Sequence, residues 1–379
     1  MIFRLTLLPV LLVMSSACEW FLKSDVKKKT HPPLTIGWIG PLSGPVSLLG
    51  IDNLNTIKMA LEKINQEKIL PAPLKLIAKD DEYDTNLSIS LYKKLVSEHK
   101  PQIIFTSTYT ATFQLADLAL RDKIILINSI DNDENLARLN RNVFLIAKKT
   151  SHLASAITGH IKREKKSMTS VLYLKEDDFM PIVADLITTQ LEKSGGKVTL
   201  YSYSFNTKDF KSDFLKMKSQ GSDSFVLLGY RELGKAMRDA REAGISQPFY
   251  TANLMMKDDA KEAIEHTKFF DFTSLDGNIE RCQRFLVDYE KKFGKKPLLE
   301  WTAFQAWDSV HILANALNKS LNIEGLLIDN IRTNLASTKD YEGLSGKISL
   351  NSDGSSDGII PGLYEFVGGR SRKVMEPDS

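Results

Sequence analysis

Two cysteines in 379 residues, Cys18 and Cys282, are too few for a disulfide-stapled fold. Net charge is equally scarce: 50 Lys and Arg against 47 Asp and Glu leave a formal +3, which is no electrostatic footprint for nucleic acid. No segment approaches the roughly twenty apolar residues that a bilayer-spanning helix needs. The sequence has no GxGxxG, no GxxxxGK[ST], no GxSxG and no HExxH, and so no signature of dinucleotide, phosphate-loop, serine-hydrolase or zinc-protease chemistry. The six histidines are scattered. His152 and His160 share a predicted helix but lie two turns apart, too far to bind one metal, and are expected to flank a surface face. Asn351–Gly358, NSDGSSDG, lacks the central glycine and terminal glutamate of a calcium loop and reads as a polar hairpin turn. No cofactor, metal or enzymatic activity is therefore expected.

What is present is ordinary globular composition, 42% hydrophobic and 26% charged, over a length that suits two large lobes. That composition excludes a disordered or collagenous chain. The N-terminus, MIFRLTLLPVLLVMSSAC, has one early charge at Arg4, an apolar run from Leu5 to Met14, and the small residues Ser15, Ser16 and Ala17 before Cys18. This is the layout of a secretory signal, spanning 1–17. Cys18 after Ala17 resembles the lipobox of bacterial lipoproteins, in which that cysteine is acylated; Ser15 stands where leucine is favoured. Ordinary signal-peptidase cleavage at the same place is the alternative. Residues 18–33, with Lys27–Lys29 and Pro32-Pro33, read as a solvated tether to the lipid anchor. Cys282 is expected to be a buried, inert thiol on a helix face.

From Leu34 onward, apolar strands alternate with amphipathic helices. Strands are expected at Leu34–Ile39, Leu74–Ala78, Ile103–Phe105 and Ile124–Ile127. Helices are expected after Asp52 (read as a cap), around Ile89–Val96, and through Phe113–Leu118. The pattern restarts with helices at 151–166, 181–193, 210–218 and 232–242, and strands at 171–174, 198–203, 225–228 and 249–251. Two long helices, 277–293 and 301–317, then break the alternation. The fold class is α/β: two doubly wound parallel-sheet lobes forming a clamp, whose strand ends face one another across a cleft. The carboxylate clusters Asp80-Asp81-Glu82 and Asp131–Glu134 at predicted strand ends read as helix caps and loop edges.

The stretch LTIGWIGPLSGPVSLLGIDNLNTIK at 34–58 resembles the periplasmic binding proteins of the leucine/isoleucine/valine-binding family, with the type I fold. KDDEYD at 79–84, STYTAT at 107–112, AREAGI at 240–245, WTAFQAWDSV at 301–310 and GLSGKISLNSDG at 343–354 continue the likeness in order. The resemblance implies three crossings between lobes, near 149, 277 and 338. Lobe 1 would hold 34–148 and 278–337, and lobe 2 would hold 149–277 and 338–379. It implies a lipid-anchored periplasmic receptor that delivers a small polar ligand, an amino acid or amide, to an ABC permease. A ligand sensor or protein-interaction lipoprotein on the same fold is the alternative.

The resemblance also implies ligand-binding positions. Tyr109 and Thr110 would hold a carboxylate at the start of a helix, Ile130 and Asn132 would meet an ammonium, and Leu49 replaces the aromatic near the first loop. Phe179 and Tyr230 would supply rings from lobe 2. Asn253 falls where the family carries an acid that pairs with the ammonium, with Asp131 or Asp133 as candidate replacements. Read from the residues themselves, Gly40 and Gly44 either let backbone N–H groups approach the ligand or make a plain tight turn, and the hydroxyls of Thr108, Thr110 and Thr112 either cradle a carboxylate or supply an ordinary threonine N-cap.

Overall fold

The computed structural model describes residues 32–44, 46–255, 260, 262–271, 279–321, 328–359 and 362–375. Cys18, the signal, the tether up to residue 31 and the crossing near 277 lie outside the described residues.

The first lobe runs β1 (Leu34–Gly40), α1 (Ser47–Gln66), β2 (Leu74–Asp80), α2 (Thr85–His99), β3 (Ile103–Thr106), α3 (Tyr109–Arg121), β4 (Ile125–Asn128), the single turn α4 (Glu134–Ala137) and β5 (Val143–Leu145). These strands form one parallel sheet in the order β2-β1-β3-β4-β5. A parallel sheet needs cover on both faces, and β3, β4 and β5 are accordingly buried throughout and apolar except for Thr106 and Asn128 at their carboxyl ends. Each fully buried ring such as Trp38 or Phe105 contributes about 1.5–3 kcal/mol of transfer energy.

The second lobe follows with α5 (Thr150–Arg163), β6 (Met168–Leu174), α6 (Met180–Glu192), β7 (Lys197–Tyr203), α7 (Lys211–Ser219), β8 (Ser224–Leu228), α8 (Leu233–Glu242), β9 (Phe249–Thr251) and β10 (Lys268–Asp271). Then come α9 (Ile279–Phe293), α10 (Glu300–Leu321), α11 (Ile328–Ala336), β11 (Tyr341–Glu342), β12 (Lys347–Leu350), β13 (Ser356–Asp357), β14 (Gly362–Val367) and β15 (Arg370–Met375). The second sheet is ordered β15-β14-β10-β9-β8-β6-β7. It is parallel except at β14 and β15, which pair antiparallel. Gly368 and Gly369, at φ +56° and +78°, make the two-residue turn with both central residues left-handed that matches strand twist, so the chain doubles back on the sheet edge.

Helix α10 packs along α1, on the first lobe. Asp52 does not cap α1: it lies inside that helix, almost wholly buried. Its carboxylate accepts from the Tyr289 hydroxyl at 2.7 Å and from the N–H groups of Leu298 and Leu299 at 2.7 and 3.1 Å. The N–H groups just before α10 thus find their acceptor on α1, and burial raises the Asp52 carboxyl. Cys282 is buried on α9 with its thiol toward the Leu344 carbonyl at 3.4 Å. His160 is not a surface residue: it is buried beside the Tyr250 hydroxyl at 2.9 Å.

The small β11–β13 sheet seats on β5, where Leu145 N–H donates to Gly354 O at 2.8 Å. Residues 351–355 form the turn between β12 and β13. On the α10 side, buried Asp308 accepts from Leu344 N–H, Ser345 N–H and the Ser345 hydroxyl.

Candidate functional site

A cleft opens between the lobes, lined by residues of both. Its lining comes mainly from the carboxyl ends of the strands and the turns after them. Thr108 and Tyr109 follow β3, Ile130 and Asp131 follow β4, and Lys148–Thr150 follow β5. From the second lobe, Phe179 and Met180 follow β6, Tyr230 follows β8, and Ala252, Asn253 and Met255 follow β9. Leu49, Tyr83, Leu153, Phe270 and Trp301 complete the wall.

Six of the eight expected positions thus meet here: Leu49, Tyr109, Ile130, Phe179, Tyr230 and Asn253. Thr110 and Asn132 do not face the cleft. The Thr110 hydroxyl reaches across the lobes to Asp178 at 2.8 Å. The Asn132 amide turns away from the cleft, donating to Ala147 O at 3.0 Å and Ser356 O at 2.8 Å. The threonines beside Thr110 are also committed. Thr108 Oγ1 caps α3 by accepting from Ala111 N–H at 3.2 Å, and Thr112 is buried in a network with Thr106 and Asn128. The glycine loop after β1 does not supply N–H groups to the cleft either. Leu42 N–H and the Ser43 hydroxyl donate to Asp80, each at 2.8 Å, and Gly44 holds the turn at φ +76°. Gly40 is glycine because a Cβ would stand 1.9 Å from Ser107 Oγ.

The carboxylates divide by their partners. Asp177 is buried, and four donors fill it: the hydroxyls of Tyr83 and Tyr230 and the N–H groups of Phe179 and Met180. Burial raises its carboxyl while these donors pull it back. Burial and the Asp177 charge in turn push both tyrosine hydroxyls well above their ordinary value. Asp133 caps α4 through Asn135 N–H at 2.9 Å. Asp131 faces the cleft with one long contact, from the Asn128 amide at 3.4 Å, and burial pushes it up to about 7. The Lys148 ammonium stands 3.6 Å above the Trp301 ring, a cation–π contact on the cleft wall. Asn253 is neutral and occupied, with its amide on Gly229 O and its carbonyl on Met255 N–H. Among the described residues no three His, Cys, Asp or Glu gather as a metal-holding group.

Tyr83, Asp177, Lys148 and Trp301 were not expected from the sequence. A signal for Tyr83 lies in its backbone rather than its motif: Glu82 and Tyr83 hold φ +54° and +63°, a costly state for non-glycine residues. Three hydrogen bonds impose it: Asp80 accepts from Glu82 N–H, the Asp81 carboxylate accepts from Tyr83 N–H, and Asp81 O accepts from Asp84 N–H. The turn aims the phenol across the cleft.

Comparison with known proteins agrees with this architecture. The family model described as periplasmic binding protein matches residues 33–358. The Leu/Ile/Val-binding protein homolog 7 of Brucella abortus is 25% identical over 313 residues, covering 76% of this chain and 77% of the relative. Among solved structures, the leucine-binding protein LivK of Thermotoga maritima superposes with a TM-score of 0.83 at 17% identity, over 91% of this chain and 99% of that one. The branched-chain amino acid transporter substrate-binding protein LivJ of Streptococcus pneumoniae, in complex with isoleucine, gives 0.82 at 22% identity, over 91% and 100%. The two-lobed α/β architecture, its interlobe cleft and the family match over most of its length establish that this chain belongs to the periplasmic binding protein family.

Proposed function

We propose that this protein is an extracytoplasmic solute receptor, anchored through Cys18, that closes on a small ligand and hands it to an ABC permease. The observation that carries this reading is the cleft itself. Apolar and aromatic walls surround a few placed polar groups, and both lobes contribute. Closure would be a hinge motion about the crossings near 149, 277 and 338. The lobe division at 148/149, 277/278 and 337/338 is part of this proposal. The sheets support it, since β1–β5 lie in one and β6–β10 with β14 and β15 in the other.

Within the cleft, Tyr109, Phe179 and Tyr230 would enclose the ligand body, with Leu49 and Ile130 at its sides. Thr110 and Asn132 act in this reading on closure and on the crossing segment rather than on the ligand. The relatives named for leucine, isoleucine and valine support an amino acid or a close analogue as ligand. A thermal-shift screen of amino acids, amides and small carboxylic acids tests the reading. At least one class should raise Tm, and Phe179→Ala with Tyr230→Ala should abolish the shift; no shift from any class would count against it. Cys18→Ser should release the protein from the membrane fraction, and retention of that variant would contradict lipid anchoring.

A further inference from the structure

We propose that Asp131 is the specificity-determining counter-charge of this cleft, holding a cationic nitrogen of the ligand from the first lobe alone. Charge recognition would then precede closure and need no charged group from the second lobe. This rests on the solute-receptor reading above.

Geometry eliminates the other carboxylates near the cleft. Asp177 already accepts four hydrogen bonds, the full capacity of its two oxygens. Asp178 is exposed and takes the Thr110 hydroxyl. Asp133 is turned into the cap of α4. Asn253 carries no charge, and both ends of its amide are engaged by the backbone. Asp131 alone of these is both in the cleft wall and weakly satisfied, 8% exposed with the single contact at 3.4 Å.

A buried carboxylate in that condition is costly unless a cation is brought to it. Lys148 lowers that cost from a distance, while its ammonium lies on the Trp301 face. Asp133 and Asp177 raise it by like-charge repulsion, and Asn128 supplies the one donor. An arriving ammonium would sit between the Asp131 carboxylate and the aromatic walls formed by Tyr83, Tyr109 and Tyr230, a setting that suits a cation on an apolar body. Such a ligand is favoured only by ionised Asp131, so affinity should fall with pH below about 7.

Calorimetry on the mature chain tests this with L-leucine and L-phenylalanine, the amines 3-methylbutylamine and 2-phenylethylamine, and the acids 4-methylpentanoate and 3-phenylpropanoate. The ammonium-bearing probes should bind more tightly than the acids. Asp131→Asn should weaken them tenfold or more at pH 8. Lowering the pH from 8 to 5.5 should cost the wild type tenfold or more and Asp131→Asn less than twofold. Thermal unfolding confirms that the near-isosteric variant is folded. Equal binding of acids and ammonium probes, or indifference to Asp131→Asn, overturns the inference and leaves the receptor reading standing. A folded protein that binds neither set also overturns the inference, and the amides of the thermal-shift screen then decide the receptor reading.

Discussion

The Tyr83 hydroxyl, carried by the β2–α2 turn of the first lobe, donates to the Asp177 carboxylate at the start of α6 in the second. The Thr110–Asp178 bond at 2.8 Å and the Tyr109–Phe179 ring contact at 6.2 Å join the same two faces. The lobes therefore hold each other directly, beside whatever the ligand adds. Tyr83→Phe removes one donor to a charged acceptor, worth about 1.5–3 kcal/mol. We expect roughly tenfold weaker ligand affinity, with a larger unliganded radius of gyration in solution scattering. Unchanged affinity and radius would show that this bond does not contribute to closure.

Asp131 should cost the ligand-free protein stability. Its folded pKa, about 7, lies above the ordinary 3.8, so the folded state holds its proton where the unfolded chain has released it. Stability from this group therefore drains as pH rises from about 4 to about 7 and stays low above that. Asp131→Asn should raise stability at pH 8 by on the order of 1–3 kcal/mol and add little at pH 4. Asp308, held up to about 6 by burial, slopes the same way and must be counted in the wild-type profile. Urea unfolding at the two pH values measures the difference.

Two glycines with similar backbone angles should respond differently to alanine. Gly369 has φ +78° and nothing within 4 Å of an added Cβ, so Gly369→Ala should cost about 1 kcal/mol from the backbone alone. Gly354 has φ +87°, and its Cβ would stand 2.0 Å from the Val143 carbonyl oxygen. Gly354→Ala should therefore cost several-fold more, by thermal unfolding, because the seat of the small sheet on β5 must shift.

Asp52→Ala should be among the most destabilising changes to the first lobe. It strips the acceptor from Leu298 N–H, Leu299 N–H and the Tyr289 hydroxyl in a buried setting, at about 1–3 kcal/mol for each donor left bare. Equilibrium unfolding should show a loss of at least ~2 kcal/mol, without change in ligand specificity.

The fold was largely readable because its signal is local. Apolar runs such as Ile103–Phe105, separated by amphipathic helices, are the pattern of a parallel sheet covered on both faces. The hairpin of β14 and β15 is equally local, carried by Val367-Gly368-Gly369-Arg370. The site was less readable because the cleft depends on which way side chains turn. Thr110 and Asn132 sit within one or two residues of lining positions, yet their hydrogen bonds run to Asp178 and Ser356. Asp52 reads as a cap in sequence because the N–H groups that donate to its carboxylate lie 246 and 247 residues further along the chain, at Leu298 and Leu299. Tyr83 depends on a turn held in the left-handed region by Asp80 and Asp81, which no spacing rule announces.

Native mass spectrometry of the freshly purified mature chain, before and after exposure to a low-molecular-weight cell extract, tests the central claim most directly. The account predicts a single small-molecule adduct per chain that is lost on acid unfolding and absent from a Phe179→Ala, Tyr230→Ala variant. A folded wild-type chain that stays bare in both spectra would contradict it.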